Sequence, residues 1–108
     1  MSQILPQSVE DYFDTANGDD AAPVAACFTL DAVVQDEGKT IAGRDAIAFW
    51  HTQARQKYQF HATVSSVSGT DERPVVTARL TGAFPGAPAD LTYSFHLVGG
   101  RIAALEIG

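Results

Sequence analysis

Cysteine is nearly absent from this chain. Cys27 is the only one in 108 residues, so no internal disulfide can form. That accords with a reducing, cytoplasmic setting. Its neighbours, Val24-Ala25-Ala26-Cys27-Phe28, make it a small buried apolar residue rather than a nucleophile. Basic residues are scarce as well, 7 against 13 acids, for a net charge of -6. A chain so poor in Lys and Arg lacks the patch that nucleic-acid phosphates or an anionic membrane surface require. No apolar run is long enough to span a bilayer, and Met-Ser-Gln-Ile-Leu-Pro lacks the charged and apolar regions of a signal peptide. The three histidines, His51, His61 and His96, stand too far apart for a ligand motif, so no metal is expected. There is no glycine-rich phosphate loop and no Ser-His-Asp signature.

What is present is an ordinary globular composition, 45% apolar and 19% charged. The length fits one domain over residues 1–108, with no repeat or linker to divide it. Val9, Tyr12, Phe13 and Ala16 share one face of a first helix, with Ser8 as its N-cap and Asn17-Gly18 as a positive-φ end. Asp19 or Asp20 caps a second short helix with Pro23 in its first turn and Val24, Cys27 and Phe28 inward. Leu30 to Asp36 reads as a strand, closed by the turn Glu37-Gly38-Lys39. A third helix from Arg44 to Lys57 carries the inward stripe Ile47, Trp50, Ala54 and Tyr58. His51 falls at its edge, and Arg44 is expected to pair with an acid.

After Tyr58 the pattern is all strand. Phe60, Ala62 and Val64 oppose His61, Thr63, Ser65 and Val67. Val76, Ala78, Leu80 and Phe84 oppose Thr77, Arg79 and Thr81. Leu91, Tyr93, Phe95 and Leu97 oppose Thr92, Ser94 and His96. Gly99-Gly100 is a two-residue hairpin turn into a last strand, Arg101 to Ile107. Helices first and strands last make an α+β fold. The expected form is a cone-shaped α+β barrel, with three N-terminal helices packed on a strongly curved, mainly antiparallel sheet. The sheet's other face, with Thr63, Ser65, Thr77, Thr81, Thr92 and Ser94, is neither charged nor greasy, and reads as a homodimer surface.

Three stretches carry a family resemblance. They are Val9-Glu10-Asp11-Tyr12-Phe13 running into Asn17-Gly18-Asp19-Asp20, then Cys27 to Asp36, then Gly43-Arg44-Asp45-Ala46-Ile47-Ala48-Phe49-Trp50. With the closing hairpin Phe95 to Ile102, the chain resembles the nuclear transport factor 2-like superfamily, in its SnoaL-like and ketosteroid-isomerase-like branch. The resemblance implies cofactor-free proton transfer or isomerisation on a small apolar carbonyl compound. It puts Asp36 at the catalytic base and Tyr12 at an oxyanion donor. The family's second donor is a protonated aspartic acid; Tyr93 stands at that place here, a departure that keeps a hydrogen-bond donor. A pocket wall is expected from Phe13, Phe28, Val34, Trp50, Tyr58, His61 and Phe95.

Plainer readings stand beside these. Tyr12 and Tyr93 also fit core positions, Asp36 fits the start of a turn, and His61 fits a structural place on its strand. A non-catalytic binder of small ligands, or a module that docks a partner on the outer sheet face, fits the same scaffold.

Overall fold

The computed structural model describes residues 5–108. Helix α1 (Gln7–Ala16) starts two residues earlier than the serine cap predicts. Pro6 takes the N-cap place, and its carbonyl accepts the Val9 and Glu10 N–H groups at 3.0 Å each. Ser8 therefore lies inside the first turn, buried, with its hydroxyl unpartnered. Val9, Tyr12, Phe13 and Ala16 form the buried stripe, as their spacing requires. The end of α1 needs no left-handed residue, for Asn17 stays right-handed at φ -79°. Its side chain instead bonds both backbone groups of Ala62, at 3.0 and 2.7 Å.

Asp20 caps α2 (Ala21–Ala25) by accepting from the Ala22 N–H at 3.1 Å. Phe28 is not on that helix; it opens strand β1 (Phe28–Asp36). Glu37 and Gly38 both take positive φ, 54° and 74°, and turn the chain into β2 (Lys39–Ala42). This strand was not expected: it is a short, mostly exposed edge strand whose residues show no apolar alternation. Helix α3 (Arg44–Tyr58) follows. The Arg44 guanidinium does not pair with an acid; its Nε and Nη2 donate to the Phe28 carbonyl at 2.9 and 2.7 Å, pinning α3 to the start of β1.

Strands β3 (His61–Gly69), β4 (Pro74–Thr81), β5 (Ala89–Val98) and β6 (Arg101–Ile107) form an antiparallel meander. Strand β1 returns to lie parallel to β6, giving the order β2-β1-β6-β5-β4-β3. The three helices pack on one face of this mixed sheet, the α+β cone that the element order implies. A bulge at Ser65 shifts the β3–β4 register, and the Ser65 hydroxyl donates to the Thr77 carbonyl at 3.0 Å. Val67 is thereby opposite Val76 and packs on the core, not on the outer face. Gly82 lets the chain cross the end of α3. A Cβ there would sit 2.7 Å from the Tyr58 carbonyl, so no larger residue fits without displacing Tyr58.

The register has one consequence for function. Asp36 pairs with Ile107, Ile107 with Tyr93, and Tyr93 with Val76. Residues in one cross-strand row project from the same face. Asp36 and Tyr93 therefore share the helix-covered face, two strand spacings apart, roughly 9–10 Å at the backbone.

Candidate active site

A cavity of about 80 Å³ lies between α1, α3 and that row of the sheet. Tyr12 and Phe13 reach it from α1, Trp50, His51, Ala54 and Tyr58 from α3, and Asp36 and Tyr93 from the sheet. An adjoining recess of about 460 Å³ shares Asp36, Glu37, Trp50, Ala54 and Tyr58 with it. The recess is of the size that holds small ligands, and the cavity alone is not. On the other side of Tyr58, an apolar groove of about 410 Å³ runs along Leu80, Phe84 and Leu91.

Asp36 is half-buried, and its Oδ2 accepts a hydrogen bond from Trp50 Nε1 at 3.0 Å. Burial lifts its carboxyl above the ordinary value, because a charge there loses its water. The Trp50 bond opposes that shift, the Glu37 charge adds to it, and Lys39 opposes it. Tyr12 and Tyr93 are both about 4% exposed, with ring centres 6.3 Å apart. Burial holds the Tyr12 hydroxyl well above its ordinary pKa, and the neighbouring Tyr93 and Asp36 push the same way. Tyr93 is raised by burial first and by Asp36 second. Both phenols therefore keep their protons at any ordinary pH and can only offer them as hydrogen bonds. Ser8 Oγ is the one sealed side-chain polar atom without a partner among the described residues. The two phenol hydroxyls make no protein hydrogen bond there either, so they open on the cavity.

Of the residues expected in the pocket wall, Phe13, Trp50 and Tyr58 line the cavity. Phe28, Val34 and Phe95 do not; they are buried behind it. Phe28 meets the Tyr12 ring edge-on at 5.9 Å, and Phe95 stacks on Tyr93 at 6.4 Å. They hold the phenols in place rather than touch a ligand. His61 does not line the cavity. It is exposed, because the inward residue at the start of β3 is Ala62.

His51, expected at the edge of its helix, lies inside. It is 2% exposed and lines the cavity, where its Nε2 donates to the Gly18 carbonyl at 3.0 Å. Its signal was available: Ile47, His51, Ala54 and Tyr58 also repeat at helical spacing, a stripe beside the one that includes Trp50. Tyr58 donates to Glu37 Oε1 at 3.2 Å, closing one side of the mouth. Cys27 is buried as expected, with burial the main cause of its raised thiol pKa. Among the described residues no cluster of His, Cys, Asp or Glu is arranged to hold a metal. No helix there is long and apolar enough to cross a membrane.

The SnoaL-like domain model matches residues 9–105. Among solved structures, a candidate polyketide cyclase from Sinorhizobium meliloti is 38% identical, with a TM-score of 0.92 over 96% of this chain and 95% of that one. A protein with a ketosteroid isomerase-like fold from Catenulispora acidiphila, in complex with trimethylamine, is 19% identical, with a TM-score of 0.86 over 97% and 86%. A candidate ketosteroid isomerase from Kribbella flavida is 20% identical, with a TM-score of 0.78 over 94% and 74%. The last two likenesses show the fold alone. Nothing among the curated proteins matches.

Proposed function

Because the chain belongs to the SnoaL-like domain family, we propose that it binds a small, largely apolar carbonyl compound and moves a proton at the carbon beside that carbonyl. Asp36 takes the proton. Tyr12 and Tyr93 donate hydrogen bonds to the carbonyl oxygen as it gains charge. The register row of Asp36, Ile107 and Tyr93 supports this reading, since it brings a carboxylate and a phenol to one face of the sheet beside the cavity and its adjoining recess.

The electrostatics support the same assignment. A carboxylate at its ordinary pKa is a weak base toward carbon, and burial strengthens it. Trp50 keeps that carboxylate oriented and prevents its pKa from rising too far. Two un-ionised phenols in a cavity walled by Phe13, Trp50 and Leu91 stabilise an enolate without reorganising, and one such donor is worth about 3 kcal/mol. No cofactor enters this scheme. The likeness to a candidate polyketide cyclase suits it, because closing a ring from a carbonyl chain also begins with an enolate.

The test is exchange of α-protons for deuterium in small cyclic and aryl ketones, followed by proton NMR. The wild type should exchange them, and Asp36→Asn should lose at least about 100-fold while still binding phenols. Unchanged exchange in Asp36→Asn would overturn the assignment. Asp36 is only half-buried beside the recess, which favours a rival reading in which the protein only binds such compounds. Binding of ketones without any exchange would establish that rival.

The outer sheet face is proposed as the surface of a homodimer. Thr63, Ser65, Thr81 and Thr92 stand exposed there, around the ion pair that Arg79 makes with Asp90 in the same face. Sedimentation of the wild type should give twice the chain mass, and Thr92→Arg should give a monomer. A wild type that sediments as a monomer would contradict it.

A further inference from the structure

His51 has no part in the proton transfer just described, yet it is among the most buried polar side chains of the fold. Its Nε2 lies 3.0 Å from the Gly18 carbonyl. A carbonyl only accepts, so the ring proton sits on Nε2 and Nδ1 carries a bare lone pair. The Gly18 side of this bond is itself held, because the neighbouring Asn17 is bonded twice to Ala62 of β3. The ring also meets Phe60 edge-on at 6.2 Å. Position, orientation and tautomer are thus all fixed by the protein.

Nδ1 has no donor of its own. It makes no hydrogen bond among the described residues, and it is not sealed away as Ser8 Oγ is, so it opens on the cavity that His51 lines. The other donors around the cavity are committed or distant in role. Trp50 N–H is taken by Asp36, and the phenol hydroxyls belong to the carbonyl oxygen in the proposed reading. A lone acceptor in a buried wall demands a donor from whatever fills the space. Burial also keeps the ring from taking up a proton, which leaves Nδ1 an acceptor near neutral pH.

We infer that His51 is a specificity-determining residue whose Nδ1 accepts a hydrogen bond from a ligand hydroxyl, so that the preferred ligand is a hydroxylated carbonyl compound rather than a simple ketone. The inference rests on the carbonyl-site reading above and adds a second point of recognition. The cavity then presents two donors on one side, Tyr12 and Tyr93, and one acceptor on α3. A hydroxy-ketone or a phenolic ketone that fills the cavity and reaches into the adjoining recess is the complement of that set.

The probes are a matched pair of aryl ketones, one with a ring hydroxyl and one without. Nitrogen-15 NMR of the imidazole, assigned with His51→Gln, is read in the wild type, so the main result does not depend on a variant that folds. Nδ1 should resonate as an unprotonated nitrogen and move upfield only with the hydroxylated ketone. That ketone should bind about tenfold tighter than its partner, and His51→Phe should bring the ratio to about one. Both ketones should shift the Tyr12 and Tyr93 ring signals. If both do so and bind equally to the wild type, or if Nδ1 carries the proton, the His51 inference falls and the carbonyl site stands. If neither ketone touches Tyr12 or Tyr93, the carbonyl-site reading falls and takes the inference with it.

Discussion

Trp50 is the chain's only tryptophan, and its indole N–H is bonded to the carboxylate proposed as the base. Replacing it by Phe removes that bond while keeping an aromatic ring in the wall. A hydrogen bond to a charged acceptor is worth roughly 1.5–3 kcal/mol. Asp36 is only half-buried, so solvent screening brings this down to about 1–1.5 kcal/mol. Trp50→Phe also leaves a void whose cost is unrelated to the bond. A double-mutant cycle with Asp36→Ala cancels that cost, because it appears on both sides. Urea unfolding followed by circular dichroism at about pH 8, with Asp36 ionised, should yield a coupling of about 1–1.5 kcal/mol. With Asp36 protonated the bond is an ordinary neutral one, and the coupling should fall to about 0.5 kcal/mol. Emission from Trp50 reports when that happens; its pH midpoint should lie above the ordinary carboxylate value of 3.8. A coupling near zero at the higher pH, or one that ignores pH, would refute the bond as an ionised contact.

Asp36→Asn should make the protein more stable at neutral pH. Folding raises the Asp36 pKa, so protonated Asp36 favours the folded state at low pH, and that contribution is lost as the pH climbs from 3.8 through the raised value. The stability gap between variant and wild type should open across that window; a gap that closes there contradicts the sign. Arg44→Ala strands the Phe28 carbonyl, and should cost about 2–3 kcal/mol, a fall in Tm on the order of 10 °C. A scanning-calorimetry Tm within a degree or two of wild type would show that this bond contributes little. Asn17→Ala removes two bonds to Ala62, and urea unfolding should show a loss of about 2 kcal/mol. A negligible loss would mean that solvent replaces the amide.

The parts of the fold that local pattern controls were legible in the sequence. The stripe through Val9, Tyr12, Phe13 and Ala16 follows from helical spacing, and Tyr93, Phe95 and Leu97 alternate inward as written. The Gly99-Gly100 turn was legible because only glycine takes both positive φ angles, 58° and 81°, so cheaply. What was missed depends on partners far along the chain. Strand β2 exists because β1 offers an edge, not because Lys39–Ala42 has a strand pattern. Val67 turns inward because one extra residue at Ser65 reverses the alternation, and a bulge has no reliable local signature. His61 faces outward as the alternation of Phe60, Ala62 and Val64 implies, and only the place of His51 depends on a distant partner. The strand's true inward residue is Ala62, and the depth of His51 is set by the Gly18 carbonyl packed against it. Even the meeting of Asp36 with Tyr93 rests on β1 lying parallel to β6, a pairing that no window of sequence reveals.

The most direct test of the proposed chemistry is a crystal structure of the wild type with a bound phenol, which mimics the enolate. The phenol oxygen is predicted within about 3 Å of both the Tyr12 and Tyr93 hydroxyls, with the ring lying toward Asp36. A phenol that binds elsewhere, or one whose oxygen turns away from those two hydroxyls, would contradict the account.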